Sequence, residues 1–210
     1  YAGLAVAHFV AATYQWTNPQ DSFREMTYAA ERSVEMGPND AVAHVALCYA
    51  CRATGRQQEL IEAGERSVQL NPSYAWGYVQ LGFALALAGR GEEALANLEK
   101  AMRLDPRDDT FWQACQAAAM AHFSVRRYEQ AVEWAERAAH RNPRSQVNQR
   151  ILAASFAMLN RIAEARAAFK EAIQLQPSTT VADLERSTSA ASPEFRDRYI
   201  NALRKAGLGE

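Results

Sequence analysis

His44, Cys48 and Cys51 come nearest to a chemical site in this sequence. Their spacing of four and three residues places an imidazole and two thiols on one helix face, where they could serve as three zinc ligands. A zinc site also needs a fourth ligand or a bound water. The same spacing describes a core-facing stripe, in which small buried thiols are ordinary packing residues. We therefore interpret them as packing residues and expect no metal; stoichiometric zinc in the purified protein would contradict this.

Other groups that could carry catalysis are scattered along the chain. His8, His122 and His140 lie far apart, and none is paired in sequence with a nucleophile. The glycines around residue 90 follow no predicted strand, so they do not form a phosphate-binding loop. The sequence therefore predicts a chain that is not an enzyme and has no cofactor.

Composition excludes several other classes of protein. Of the 210 residues, 49% are hydrophobic and 22% are charged, which is typical of a globular protein and not of a disordered one. Lys and Arg number 23 against 24 Asp and Glu, so the chain lacks the basic excess expected for binding nucleic acid. No apolar stretch is long enough to insert into a membrane. Three cysteines, an odd number, favour a reducing, cytoplasmic location over a disulfide framework.

Prolines divide the chain at regular intervals. Pro38, Pro72, Pro106, Pro143 and Pro177 follow one another at steps of 34, 34, 37 and 34 residues. Between them lie two amphipathic stretches, which Gly55 separates in one unit and Gly89 in the next. Glycine just past a helix adopts its left-handed stop, and proline cannot continue a helix. Each unit is thus predicted to be two helices joined by a tight turn, neither of them stable alone.

At several coincident positions these units resemble the tetratricopeptide repeat (TPR), a helix–turn–helix unit of about 34 residues. Counted from Ala41, Ala75 and Gln146, the units carry Leu47, Leu81 and Leu152 at position 7; Cys48, Gly82 and Ala153 at position 8; Leu60, Ala94 and Ala165 at position 20; and Ser67, Ala101 and Ala172 at position 27. The resemblance implies an all-α, right-handed superhelical α-solenoid of about five helix–turn–helix units with a C-terminal capping helix.

Five repeats are expected over residues 1–178 and a capping segment over 179–210. The first repeat diverges, with Met26 and Ser33 at its alanine positions, as end units of a solenoid commonly do. The fourth carries a three-residue insertion around 106–112, and Arg126 replaces its turn glycine. A final amphipathic helix is expected from about 193 to 206, with Phe195 and Tyr199 on its apolar stripe, which would cover the apolar face of the last repeat.

The TPR resemblance also implies that the first helix of each unit lines a concave groove. The side chains expected to form the partner-binding groove are Tyr49, Arg52, Trp76, Val79, Phe83, Met120, Phe123 and Arg150. An exposed apolar groove favours a peptide or an amphipathic helix as the ligand. The alternative is that a tight superhelix buries the aromatic residues against neighbouring repeats. The Lys and Asn with which the family clamps a peptide's terminal carboxylate are absent, because Val45/Tyr49 and Val79/Phe83 occupy those positions.

A narrower resemblance concerns the parent protein. Stretches such as MRLDPRDDTFWQA, and the ending RKAGLGE, are similar to the repeat region that follows the catalytic domain in a subgroup of bacterial class III adenylate/guanylate cyclases. That ending departs from the subgroup at Gly209, where proline is usual. The resemblance implies a regulatory or docking module whose cyclase domain lies upstream of Tyr1. The catalytic metal-binding aspartates have no counterpart here. The alternatives are a self-association module forming a homodimer of the parent enzyme, and a small-molecule or metal-sensing domain.

Overall fold

The computed structural model describes residues 1–13, 18–106, 111–177 and 180–209. In these ranges every regular element is a helix. In chain order they are α1 (Ala2–Thr13), α2 (Pro19–Met36), α3 (Ala41–Thr54), α4 (Gln57–Leu70), α5 (Ala75–Leu87), α6 (Gly91–Leu104), α7 (Phe111–Ser124), α8 (Tyr128–Arg141), α9 (Gln146–Met158), α10 (Ile162–Leu175), α11 (Val181–Ser187) and α12 (Pro193–Lys205). Helices α1 to α10 form five consecutive pairs, and each pair packs on the next. The predicted all-α solenoid is therefore confirmed.

Local sequence signals set the helix ends. Asp40 caps α3, because its side chain accepts a hydrogen bond of 2.9 Å from the Val42 amide. Beyond α3 and α5, Gly55 and Gly89 have φ of 77° and 82°, which glycine adopts without a Cβ clash. The second helix of a unit ends just before a proline, as α4 does at Leu70. The periodic glycines and prolines of the sequence thus mark the turns of the solenoid.

Small side chains let the paired helices approach each other. Ala94, Ala131 and Ala165, at the same position in three successive units, are fully buried. The main core extends as one cluster from the third helix to the twelfth. A second cluster joins α1 and α2 to α3 around the buried side chains of Met26 and Tyr49. In the divergent first repeat, then, methionine fills a position that alanine occupies in the third, fourth and fifth repeats. No helix among the described residues is both long and apolar enough to cross a bilayer.

Two predicted features fall outside the described residues. The insertion expected around 106–112 lies mostly there, since the description stops at residue 106 and resumes at 111. The expected boundary between repeats and capping segment, at 178–179, lies there entirely.

The C-terminal segment, residues 180–209, runs along the solenoid. Ser189 lies beside Gly55, at the end of α3. The Ser192 amide donates to the Leu87 carbonyl oxygen at the end of α5, at 2.8 Å. One step further, the Arg198 guanidinium donates to the carbonyl oxygen of Ser124, the last residue of α7, also at 2.8 Å. Helix α12 then packs mainly on α9. The segment therefore contacts the second, third, fourth and fifth repeats in turn. Its contacts are not limited to the last repeat.

Two turns place residues other than glycine in the left-handed conformation: Arg126 (φ 63°) and Asn160 (φ 59°). This conformation costs most residues about 1–2 kcal/mol, and asparagine less. We expect Arg126→Gly to raise the free energy of unfolding by about 1 kcal/mol in urea denaturation, because relief of strain outweighs the exposed ion pair with Glu194. Asn160→Gly is the control and should change stability less. A destabilised Arg126→Gly would mean that the ion pair dominates.

Candidate partner-binding face

The inner face is the surface formed by the first helices of the repeats: α1, α3, α5, α7 and α9. Near its N-terminal end an arginine lies among aromatic rings. The guanidinium carbon of Arg52 is 4.9 Å from the ring centre of Phe9, 5.4 Å from that of Tyr49 and 5.0 Å from that of Phe83. Three successive inner helices contribute these rings, and each such contact is worth about 0.5–2 kcal/mol. We call Phe9, Tyr49, Arg52, Trp76 and Phe83 the arginine cluster.

Hydrogen bonds hold Tyr49, at the centre of the arginine cluster, in place. The indole Nε1–H of Trp76 donates to the Tyr49 hydroxyl oxygen at 3.1 Å, and the Gln80 amide donates to the same oxygen at 3.3 Å. Burial raises the pKa of Tyr49 to about 12, so the phenol stays neutral at physiological pH. The ring of Phe9 lies 4.4 Å from that of Tyr49, centre to centre. Tyr49 is therefore a rigid internal residue rather than a free contact for a ligand.

Exposure divides the arginine cluster into a floor and a rim. Tyr49 and Phe83 are buried, whereas Arg52, Trp76 and Phe9 are half-buried. Burial among the rings also lowers the pKa of the Arg52 guanidinium, although arginine stays charged in proteins. The rim thus presents a cation and two aromatic side chains above an apolar floor.

Further along the inner face, the C-terminal segment covers the predicted groove. Phe123 is 1% exposed, with its ring centre 5.7 Å from that of Phe195 and 5.8 Å from that of Tyr199. Both partner rings lie on α12. Arg150 is also buried, and burial lowers the pKa of its guanidinium, while Tyr199 and Asp183 of the C-terminal segment oppose that shift. This half of the inner face is therefore an internal interface.

The eight residues predicted for the groove thus divide into three groups. Tyr49, Arg52, Trp76 and Phe83 come together in the arginine cluster. Phe123 and Arg150 face the C-terminal segment. Val79 is buried near Trp76, and Met120 is half-buried on α7. For Tyr49 and Phe83, the packing alternative that the sequence left open describes the observed burial, whereas Trp76 is only half-buried and the C-terminal segment, not a repeat, covers Phe123.

Sequence reasoning missed Phe9 as part of this face. Phe9 belongs to the divergent first repeat, where no repeat position pointed to it. The sequence indicated only that Phe9 is an apolar residue on a helix that precedes α3. The sequence pattern places Phe195 and Tyr199 on one apolar stripe of the final helix. It does not indicate that they pack against Phe123.

His44, Cys48 and Cys51 make contacts typical of packing residues. The His44 Nε2 atom is 2.9 Å from the Pro38 carbonyl oxygen, and the Cys48 thiol donates to the Leu60 carbonyl oxygen at 3.7 Å. Across the described part of the chain, no group of three or more His, Cys, Asp or Glu residues could hold a metal ion. Cys48 and Cys51 therefore belong to the main core, and His44 is buried next to the Pro38 carbonyl group.

Because the three cysteine thiols are buried, we expect them to react poorly with alkylating reagents in the folded chain. Burial raises the pKa of Cys51 to about 12, and it also raises the pKa values of Cys48 and Cys115. Because the thiolate is the reactive species, iodoacetamide at mildly alkaline pH should label none of the three in the folded chain. Intact-mass spectrometry should show three additions once urea unfolds it. Labelling of the folded protein within minutes would contradict this burial.

A separate crevice of about 300 Å³ lies outside the inner face, between α6 and α8. Met102, His122 and Trp134 line it, and Arg127 pairs with Glu92 at its edge, at 2.5 Å. Burial lowers the pKa of His122, which favours the neutral imidazole. The crevice is open and combines apolar with charged side chains.

Comparison with known proteins agrees with the repeat architecture. Residues 77–108 match the family model of the tetratricopeptide repeat. No curated protein matches the sequence significantly. Similar solved structures include a thermophilic TPR protein of Thermus thermophilus, with 20% identity, a TM-score of 0.65, and 95% of this chain and 99% of that one covered.

Two further structures are similar at 16% identity. One is PilW, a widely conserved type IV pilus biogenesis factor, with a TM-score of 0.65 and coverage of 96% of this chain and 88% of that one. The other is from the APC/C hetero-tetramer Cut9–Hcn1, with a TM-score of 0.64, where 88% of this chain matches 36% of that one. At such identities the likeness establishes the fold, a stack of helical repeats.

Proposed function

We propose that this chain, whose fold is the tetratricopeptide-repeat solenoid, is a non-catalytic protein-interaction module that binds a peptide or helix on its inner face. The binding region is the rim of the arginine cluster, where the predicted contacts Arg52 and Trp76 are only half-buried beside Phe9. Met120 lies further along the same face. Tyr49 and Phe83, which are buried, form the floor beneath Arg52 and Trp76.

The single observation that carries this proposal is that Arg52 and Trp76 are only half-buried while both contact Tyr49, which hydrogen bonds hold in the floor. Arginine and tryptophan dominate binding energy at protein interfaces when a rigid, apolar surround excludes water from them. A preformed floor also limits the conformational entropy lost on binding. Rigidity and partial exposure at one place favour a docking site over simple packing.

Selection of peptides on the purified chain tests the proposal. A displayed library of random dodecapeptides should yield binders, and Trp76→Ala should weaken them at least about tenfold, as loss of an interface anchor does. Trp134→Ala is the matched control, since Trp134 is a half-buried tryptophan on α8, away from the inner face. Affinities would be measured by fluorescence anisotropy, and circular dichroism would verify the fold of each variant.

The proposal would fail in either of two cases. One is that no library member is enriched. The other is that the enriched peptides tolerate Trp76→Ala but lose affinity with Trp134→Ala, which would locate binding at the α6–α8 crevice instead.

We further propose that the parent is a cytoplasmic class III adenylate/guanylate cyclase of bacterial type, with this module as its C-terminal regulatory region. The similarity of residues 204–210 to the ending of that subgroup supports this, and three free cysteines support a reducing compartment. The coding sequence upstream of Tyr1 is the test. A class III catalytic domain there would support the parentage, and any other domain would exclude it.

Self-association remains the second candidate function. Tyr28 and Met36, both on α2, are 57% and 67% exposed, and large exposed apolar side chains suit contact with another copy. Light scattering over a concentration series should show a dimer if this holds. A monomer throughout the micromolar range would exclude it.

A further inference from the structure

Among the described residues, Arg52 has no anionic partner, in contrast to a set of arginines that recurs elsewhere in the solenoid. Four arginines recur at the start of a second helix, and each is paired with a glutamate. These pairs are Arg56–Glu31, Arg90–Glu93, Arg127–Glu92 and Arg161–Glu164. For Arg52, the described residues supply three aromatic rings and neither an ion pair nor a hydrogen bond. A guanidinium that is half removed from water thus has no counter-ion within the described part of the chain.

Aromatic rings compensate this charge only in part. They attract a cation through their faces, but phenylalanine has no hydrogen-bond acceptor to offer the five N–H donors of a guanidinium. The one oxygen in the cluster, the Tyr49 hydroxyl, already accepts hydrogen bonds from Trp76 and Gln80. As far as the described residues go, the N–H donors of Arg52 are therefore left for water or for a ligand.

The charge pattern indicates which ligand. A buried cation is costly unless an anion pairs with it, and a planar carboxylate matches the guanidinium fork with two parallel hydrogen bonds. A phosphate group is usually bound by several basic side chains. At this place Arg52 is the one cation that contacts the three rings. The other inner-face arginine, Arg150, lies under the C-terminal segment. A single carboxylate fits this arrangement best.

We propose that Arg52 recognises the side-chain carboxylate of an aspartate or glutamate in the partner peptide, while an adjacent apolar residue of that peptide packs on Trp76. This inference rests on the proposed function, because it concerns the same rim. It specifies a side chain rather than the peptide's terminus, since buried Val79 and Phe83 stand where TPR clamps for a terminal carboxylate need polar donors. The partner segment is therefore acidic and apolar at neighbouring positions.

A double-mutant cycle tests this inference. Peptides enriched from the dodecapeptide library would be synthesised with amidated ends, so that only side chains can supply a carboxylate. Replacing the critical Glu by Gln should weaken binding to the wild-type chain about 10- to 100-fold, the range for a hydrogen bond to a charged group. The same replacement should have little effect on binding to Arg52→Gln, because the partner of the carboxylate is already gone.

Two further variants make the test specific. Arg52→Lys keeps the charge but loses the planar fork, so affinity should fall to an intermediate value. Arg103→Gln removes an arginine whose side chain is 70% exposed on α6, and binding should not change. Circular dichroism identifies any variant that does not fold. If the glutamine variant does not, the lysine variant replaces it in the cycle, and replacing Glu by Gln should then weaken binding less than it does with the wild-type chain but still measurably.

The outcomes separate this inference from the proposed function. Acidic peptides that depend on both Arg52 and Trp76 support both. Peptides that depend on Trp76 but are neutral, or bind Arg52→Gln unchanged, overturn the carboxylate inference and leave the docking function intact. A need for a free C-terminus or for a phosphorylated residue also overturns it. Failure to enrich any peptide removes the docking function, and the inference with it.

Discussion

Phe195→Ala should lower the free energy of unfolding by about 3–5 kcal/mol, the range measured for loss of a buried phenylalanine. Phe195 is 1% exposed and lies on the first turns of α12. Its ring packs 5.7 Å from Phe123 and 5.9 Å from Tyr199, centre to centre. The substitution leaves a cavity between α12 and α7, and little can fill it because the surrounding helices are held by the solenoid.

Equilibrium urea unfolding followed by circular dichroism would measure this loss. Tyr28→Ala is the control: Tyr28 is another aromatic residue on a helix, but it is 57% exposed, so its removal should change stability by no more than about 0.5 kcal/mol. If Phe195→Ala unfolds at the same urea concentration as the control, α12 does not stabilise the repeats. The interface described for the C-terminal half of the inner face would then be wrong.

This prediction bears on function because the C-terminal segment divides the inner face. Over the fourth and fifth repeats, α12 supplies the aromatic side chains that a ligand would otherwise bring to Phe123. Over the second and third repeats, the rim residues Arg52 and Trp76 are only half-buried. The segment thus stabilises one half of the face and confines the proposed docking site to the other half.

The sequence predicted the repeat architecture because repeated units reinforce one another. Gly55 and Gly89 mark turns that need φ near 80°, and the periodic prolines stand just beyond the second helices. The alanine positions, such as Ala94, point to the tight contacts between helices. Each signal is local, and its recurrence at a fixed interval is enough to identify a helical solenoid.

The site was less accessible to sequence reasoning because its contacts are not periodic. A stripe that includes Phe195 and Tyr199 shows that α12 buries one face, but not which surface covers it. The contact of Ser192 with Leu87 joins residues more than a hundred positions apart. For the same reason, the ring of Phe9 over Arg52 could not be predicted from a repeat that matches the pattern poorly.

The other substitution with a large expected effect on stability is at Gly91, where the third and fourth repeats approach each other closely. A Cβ on Gly91, the first residue of α6, would lie 2.6 Å from the Ala121 carbonyl oxygen of α7, and it would also overlap the Ser124 hydroxyl oxygen.

Gly91→Ala should therefore destabilise the chain by about 3 kcal/mol, the upper end for overpacking, because a backbone carbonyl cannot move aside as a flexible side chain can. Gly3→Ala is the matched control: nothing lies within 4 Å of its Cβ, so a gain of about 0.5–1 kcal/mol is expected from better helix propensity. Thermal and urea unfolding of both variants would compare them directly. If Gly91→Ala were as stable as Gly3→Ala, α6 and α7 would not approach as closely as described, and the superhelical step between the third and fourth repeats would be wider.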